Sequence, residues 1–243
     1  MDVVTDQLLE ARSAHRRRDW STSYAAFVRV DGMSSMTLDD LDAFASAAWR
    51  LGHAGEAVRL AERVYDRLTR ADPMAAARKA TELSLEWRTR GHEAVARGWT
   101  DKARVLLIGA TTGGIHGYVA YLDAVTAYSA SDVPAFVRSA ELLRDTAVET
   151  GDVALTMLGR VLMGVSALLE SRTTEGYRLL DDALMPVLDE RVPIEWAGDA
   201  YRIVLSSGPR LADDGHVAAW TQSMERWCEL TGVAQELFSG LRR

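Results

Sequence analysis

Five histidines, one cysteine and adjacent carboxylate pairs such as Asp39-Asp40 and Asp181-Asp182 are the side chains of this 243-residue sequence most capable of chemistry. His15, His53, His92, His116 and His216 are scattered, and no two share a helix face at metal-ligand spacing, so no zinc site is expected. Cys228, beside Trp227, reads as a small buried hydrophobe, and a lone cysteine cannot form a disulfide within the chain. Asp39-Asp40 and Asp181-Asp182 are sequence neighbours, which on a helix lie about 100° apart and do not work as a catalytic pair. There is no Gly-x-Ser-x-Gly elbow and no Gly-rich phosphate loop ending in Lys-Ser or Lys-Thr. The expectation is therefore a non-enzymatic protein with no catalytic residue, metal or cofactor.

Binding is the better-supported chemistry. Tyr118, Tyr121 and Tyr128 recur at three- and seven-residue steps, with His116 nearby. Each tyrosine offers a broad apolar ring and a hydroxyl tip, which suits a binding groove. The alternative is that the rings pack against the following helix. The run His15-Arg16-Arg17-Arg18 reads as cations complementing a helix C-terminus, and Gly113-Gly114 as a turn.

The elements that position these residues are helical. Hydrophobic residues make up 48% of the chain and charged ones 26%, which marks a globular protein and not a disordered tail. A net charge of −7 argues against direct nucleic-acid binding. The start lacks signal-peptide character, and the most apolar stretch, Val153–Leu169, is split by Arg160 and too short to span a bilayer. A cytoplasmic protein without membrane contact is expected.

Leu41, Phe44, Ala45 and Ala48 trace one helix face, opened by a capping box of Thr37 and Asp40 and closed by Gly52. A second helix runs from Glu56 to Leu68 and breaks at Asp72-Pro73. Gly52, Ala57 and Ala61 then fit the tetratricopeptide spacing of a small turn residue, another five positions on and an apolar one after nine. The same phase selects Arg18, Ser23 and Phe27; Gly98, Ala103 and Leu107; and Ser131, Phe136 and Ala140. It continues with Ser171, Gly176 and Leu180, and finally Asp213 and Ala218. This predicts a single all-α domain over 1–243, a tetratricopeptide-like superhelix of about six divergent antiparallel helix pairs.

The stretches Arg17-Arg18-Asp19-Trp20, Ala47–Gly52, Glu93–Trp99, Glu175-Gly176 with Leu179–Ala183, and Trp220 with Trp227-Cys228 resemble the tetratricopeptide-like region of actinobacterial LuxR-type and cyclase-like multidomain regulators. The resemblance implies a regulatory role. Such proteins commonly carry an ATPase module and a DNA-binding helix-turn-helix, and neither is found in this sequence.

In such stacks the first helix of each pair lines the concave wall. That places Asp39, Asp42, Ser46, Trp49 and Arg50 there, then Arg78, Glu82 and Arg88, then His116, Tyr118, Tyr121 and Tyr128, and lastly Tyr201 and Arg210. Trp49, Arg50, Arg88, His116, Tyr118, Tyr121, Tyr128 and Tyr201 are the candidate binding residues. The expected function is a scaffold taking a peptide or protein partner on this wall. The alternative is a small-molecule sensor with a Tyr/Trp-lined cavity. Val233, Leu237 and Leu241 suggest a short terminal helix that covers the stack on Trp220 and Trp227, or pairs two chains as a homodimer.

Overall fold

The computed structural model describes residues 3–32, 36–188, 191–207 and 214–235. These are all-helical, with no strand among the described residues: α1 (Val3–Arg16), α2 (Trp20–Val30), α3 (Leu38–Arg50), α4 (Ala54–Ala71), α5 (Pro73–Thr89), α6 (Glu93–Leu106), α7 (Gly114–Ser129), α8 (Val133–Thr150), α9 (Val153–Leu169), α10 (Thr173–Leu188), α11 (Ile194–Ser207) and α12 (Asp214–Thr231). Among the described residues, no helix is long and apolar enough to cross a membrane.

The chain divides into two compact units. The first comprises the described residues of 1–79 and 228–240, in which α1 packs on α2, α3 on α4, and α3 on both α1 and α2. The second comprises those of 80–227, where α7 packs on α8 and α9 on α10, while α9 also touches α7, α8 and α11.

One turn recurs through both units. Three residues join α1 to α2, α3 to α4, α5 to α6, α7 to α8 and α9 to α10, and the middle one is left-handed each time: Arg18, Gly52, Gly91, Ser131 and Ser171. The next backbone N–H reaches the carbonyl five residues back, as in Asp19 to Ala14, His53 to Ala48, His92 to Trp87, Asp132 to Ala127 and Arg172 to Ala167, at 2.8–3.0 Å. These are Schellman closures, which satisfy carbonyls that a helix end would otherwise leave bare. Asp19 and Asp132 then cap the following helices with their carboxylates.

Of the six expected turn residues, Arg18, Gly52, Ser131 and Ser171 stand where the spacing put them, Gly98 does not, and Asp213 lies outside the described residues. Gly98 lies inside α6, with open space around its α-carbon, and Gly91 makes the turn. Both are glycines before a small residue five positions on, but only Gly98 has an apolar residue, Leu107, after nine, so spacing favoured the wrong one.

The hairpins also share a crossing point, seven residues before the turn and five after it. Ser23 donates to the Ala11 carbonyl at 3.1 Å, and Ser84 to the Ala96 carbonyl at 2.8 Å. At the α9–α10 crossing, a Cβ on Gly176 would lie 2.5 Å from Leu168 and 3.0 Å from the Gly164 carbonyl. Ala45 and Ala57 occupy the same two positions in the second hairpin. Small residues there let two backbones approach closely. In the α7–α8 hairpin the two positions hold Ala124 and Phe136, so a phenylalanine stands where the other hairpins carry a small residue.

Local signals are realised in detail elsewhere. The Thr37–Asp40 capping box forms in both directions, and Asp40 also takes two hydrogen bonds from Arg12, at 2.7 and 2.8 Å. Burial pushes the Asp40 carboxyl up, but Arg12 and Thr37 outweigh it and hold the group below its ordinary value. The expected terminal helix lies mostly outside the described residues. Its start belongs to the first unit: Ala234 N–H donates to the Arg50 carbonyl at 2.8 Å, and just before it a Cβ on Gly232 would meet the Trp20 ring.

Gly176→Val should cost about 1–3 kcal/mol, the range for overpacking a close contact. Gly159→Ala, on α9 with nothing within 4 Å, should instead stabilise by up to about 1 kcal/mol. Urea titration of both variants checks this, and equal effects would remove the crossing-point argument.

Candidate functional site

The second unit carries a polar cavity built from α5, α6, α7, α8, α9 and α11. Its construction begins with α7 and α9, which are apolar on nearly every side and therefore central. Leu155, Leu158, Leu162 and Val165 on α9 are all buried.

Tyr118 and Tyr121 project from α7 towards Trp196 of α11. The Tyr118 ring lies 4.5 Å from the Trp196 ring, and Tyr121 meets the same ring edge-on at 5.9 Å. Both tyrosines are fully buried, so this face of α7 is core and not an open groove. The Tyr118 hydroxyl donates to Asp152 Oδ2 at 3.2 Å. The Tyr121 hydroxyl donates to Asp199 Oδ2 at 2.6 Å. Tyr201 is buried as well, against Trp227, with its hydroxyl 2.8 Å from Ser223 Oγ.

Asp199 sits on the apolar stripe of α11 between Trp196 and Ile203. Its carboxylate is fully enclosed and forms an ion pair with Arg202. Burial pushes this carboxyl up, yet the charges of Arg202 and Arg88, with the Tyr121 hydrogen bond, overcome that and hold it below its ordinary value. The same burial, reinforced by the Asp199 charge, pushes the Tyr121 hydroxyl well above its ordinary value. Asp199 in turn raises Arg202. At neutral pH the group is one carboxylate, two guanidiniums and a neutral phenol.

Arg88, in the last turn of α5, is 7% exposed. Among the described residues its Nε is buried without a hydrogen-bond partner, and so is that of Arg202. Both arginines line a cavity of about 210 Å³. Tyr128, Ser129, Ser206 and Ser207 supply hydroxyls to its wall, while Val125, Phe136, Leu162, Val165 and Ile203 supply apolar surface. Glu93 stands exposed at its edge.

Of the eight expected binding residues, the structure brings Arg88 and Tyr128 to this cavity, with Tyr121 behind them through Asp199. Tyr118 and Tyr201 are packed nearby without lining it. His116 caps the start of α7, its Nδ1 accepting from the Gly113 N–H at 3.2 Å. Trp49 and Arg50 belong to the first unit. Arg50 lies 4.2 Å over the Trp20 ring and donates to the Ser46 carbonyl at 3.3 Å, while Trp49 is half-buried. Arg210 lies outside the described residues. Asp199 and Arg202 were not anticipated. Their signal was a carboxylate on an otherwise apolar stripe with a cation three residues on.

A second hollow, about 350 Å³ and largely apolar, runs between α8, α9 and α10, with Phe136, Gly159, Met163 and Leu179 in its wall. Val137, Val148 and Met163 stand exposed along it. Phe136 lines both hollows. Among the described residues, no three His, Cys, Asp or Glu side chains converge to hold a metal ion. No family model, curated protein or solved structure matches the chain.

Asp199→Asn should destabilise the protein by about 3–5 kcal/mol, because it leaves the buried Arg88 and the half-buried Arg202 without their enclosed carboxylate. The sign with pH follows from the lowered Asp199 value. The carboxylate's contribution is present above the unfolded value near ~3.9 and is lost as pH falls through the folded one. Chemical denaturation from pH 7 down into acid should therefore show a shallower stability loss in Asp199→Asn than in the parent. Parallel acid limbs would show that Asp199 is not ionised in the fold.

Proposed function

We propose that this chain is a non-enzymatic binding protein with a regulatory role, built as a tetratricopeptide-like stack, and that it takes a small ligand in the cavity of Arg88 and Arg202. The repeated three-residue turn and the shared crossing point support the tetratricopeptide-like reading, since that architecture repeats one helix hairpin. The observation that carries the ligand reading is the buried Arg88, which lines the cavity and whose Nε has no hydrogen-bond partner among the described residues. Buried polar groups are normally satisfied, so a guanidinium left incomplete at a cavity wall is the mark of a place where a ligand completes the set.

Size favours a small molecule over an extended peptide at this point. About 210 Å³ lies below the ~300–1,000 Å³ of sites for drug-sized ligands. The inner tyrosines expected to receive a peptide are committed to Trp196, Asp152 and Asp199.

A second reading places a peptide or protein partner on the hollow between α8, α9 and α10. Exposed Val137, Val148 and Met163 favour it, with Gly159 leaving the floor open. Two variants separate the readings. Ser129→Trp fills the mouth of the polar cavity from an exposed position, and Gly159→Trp fills the apolar hollow. In a ligand-observed NMR screen of small fragments, hits on the parent should be lost in Ser129→Trp and kept in Gly159→Trp. Hits lost only in Gly159→Trp would move the site to the apolar hollow, and a parent without hits would remove the small-ligand reading.

A further inference from the structure

The hollow between α8, α9 and α10 has a chemistry of its own, separate from the arginine cavity. Its volume, about 350 Å³, lies within the ~300–1,000 Å³ of small-molecule sites. An apolar cavity of about 150 Å³ holds one benzene ring, so this space has room for two or three. Its floor is α9, where a Cβ on Gly159 would meet nothing within 4 Å and Met163 stands exposed. Val137 and Val148 of α8, also exposed, and Leu179 of α10 complete the apolar wall. Apolar side chains gathered in water around one hollow gain by being covered.

Charge narrows the class of occupant. The charged side chains of the wall, Glu141, Arg144, Arg160, Arg172 and Glu175, all stand exposed, where water hydrates and screens them. Arg144 pairs with Asp145 at 2.9 Å, and Arg172 pairs with Glu170 at 2.9 Å and with Glu175. Glu141 and Arg160 add one charge of each sign. A charged ligand would lose its hydration here and meet no buried counter-charge among the described residues, so the occupant is neutral.

Hydrogen bonding sets the polarity of the one polar contact. Thr156 Oγ1 donates to the Asp152 carbonyl at 2.9 Å, and Ser166 Oγ donates to Glu170 Oε1 at 3.2 Å. Both hydroxyl protons are thus committed, while each oxygen keeps a lone pair that accepts. The ligand therefore brings the donor, a hydroxyl or a ring N–H. Phe136 and Met163 in the wall favour an aromatic body, through ring–ring and sulfur–ring contacts.

We propose that this hollow binds a neutral aromatic molecule of two or three rings that carries one hydrogen-bond donor. The hollow then has a small-molecule occupant in place of a peptide. This is independent of the ligand reading of the arginine cavity, with which the hollow shares Phe136 and Leu162.

The test is NMR titration of the full chain, methyl-labelled at methionine, with 2-naphthol at neutral pH. The Met163 methyl signal, assigned with Met163→Leu, should shift and saturate. Naphthalene-2-carboxylate should bind at least about tenfold more weakly, and 2-methoxynaphthalene about threefold more weakly for its lost donor. Thr156→Val combined with Ser166→Ala should erase the difference between naphthol and its ether. Gly159→Trp should abolish the Met163 response, and Ser129→Trp should leave it unchanged. The comparison of the three probes is made on the unmutated chain, so a variant that fails to fold does not decide the matter.

The carboxylate or the ether binding as tightly as naphthol would overturn the proposal. Naphthol binding with Met163 silent, and lost in Ser129→Trp, would place the ligand in the arginine cavity and leave only that reading standing. A Leu-rich amphipathic peptide that displaces naphthol and binds at least about tenfold more tightly would assign the hollow to a partner helix. No Met163 response up to about 2 mM naphthol would remove the proposal and leave the arginine cavity untouched.

Discussion

A carboxylate taken out of water stays ionised only where opposite charge and hydrogen bonds replace its hydration, and the organisation of the second unit follows from how Asp199 meets that condition. Arg202 comes from one turn along the same helix, Arg88 from α5, and the Tyr121 hydroxyl from α7, 78 residues away in sequence. Three helices are thus tied to one buried group. A hydrophobic contact would have tolerated sliding between them, whereas a hydrogen bond of 2.6 Å to an enclosed carboxylate fixes both distance and direction. The Tyr118 and Tyr121 rings then fill the space around Trp196, and the two arginines are held with donors to spare.

The hairpins supply the frame in which this can happen. Each Schellman turn sets the angle at which the second helix returns, and the pair of small residues twelve positions apart sets how closely it lies. At Gly164 with Gly176 the contact is backbone on backbone, and at Ser23 over Ala11 a short side chain meets a backbone carbonyl. Phe136 breaks the rule in the α7–α8 hairpin, and the two hollows of the second unit both have its ring in their walls. The left-handed turn positions at Arg18, Ser131 and Ser171 run against the preference of residues with a Cβ. The Schellman hydrogen bonds and helix packing on either side hold them there.

The first unit solves a similar problem with a local device. Asp40 is buried, but three of its partners' contacts come from Thr37, which is part of the same helix start, and only Arg12 comes from elsewhere. That difference explains why one buried carboxylate was foreseeable and the other was not. A capping box is written within four consecutive residues. The partners of Asp199 are spread over α5, α7 and α11.

The sequence by itself determined that this chain is helical, where most of its hairpins turn and how α3 is capped. All of these are consequences of backbone periodicity and near-neighbour hydrogen bonding, which act over a few residues. It pointed to Arg88, Tyr121 and Tyr128 as residues of a concave binding wall, of which Arg88 and Tyr128 line the polar cavity and Tyr121 is buried. Only the tertiary structure decided what those residues meet. Whether Tyr118 and Tyr121 line a groove or a core depends on Trp196 and Asp199, and nothing in the α7 segment encodes that distant stripe. Spacing also chose wrongly between Gly91 and Gly98 as a turn, because both precede a small residue by five and only Gly98 precedes an apolar one, Leu107, by nine. What settles it is where α6 must begin for Ala96 to lie against Ser84, and that is a contact between helices.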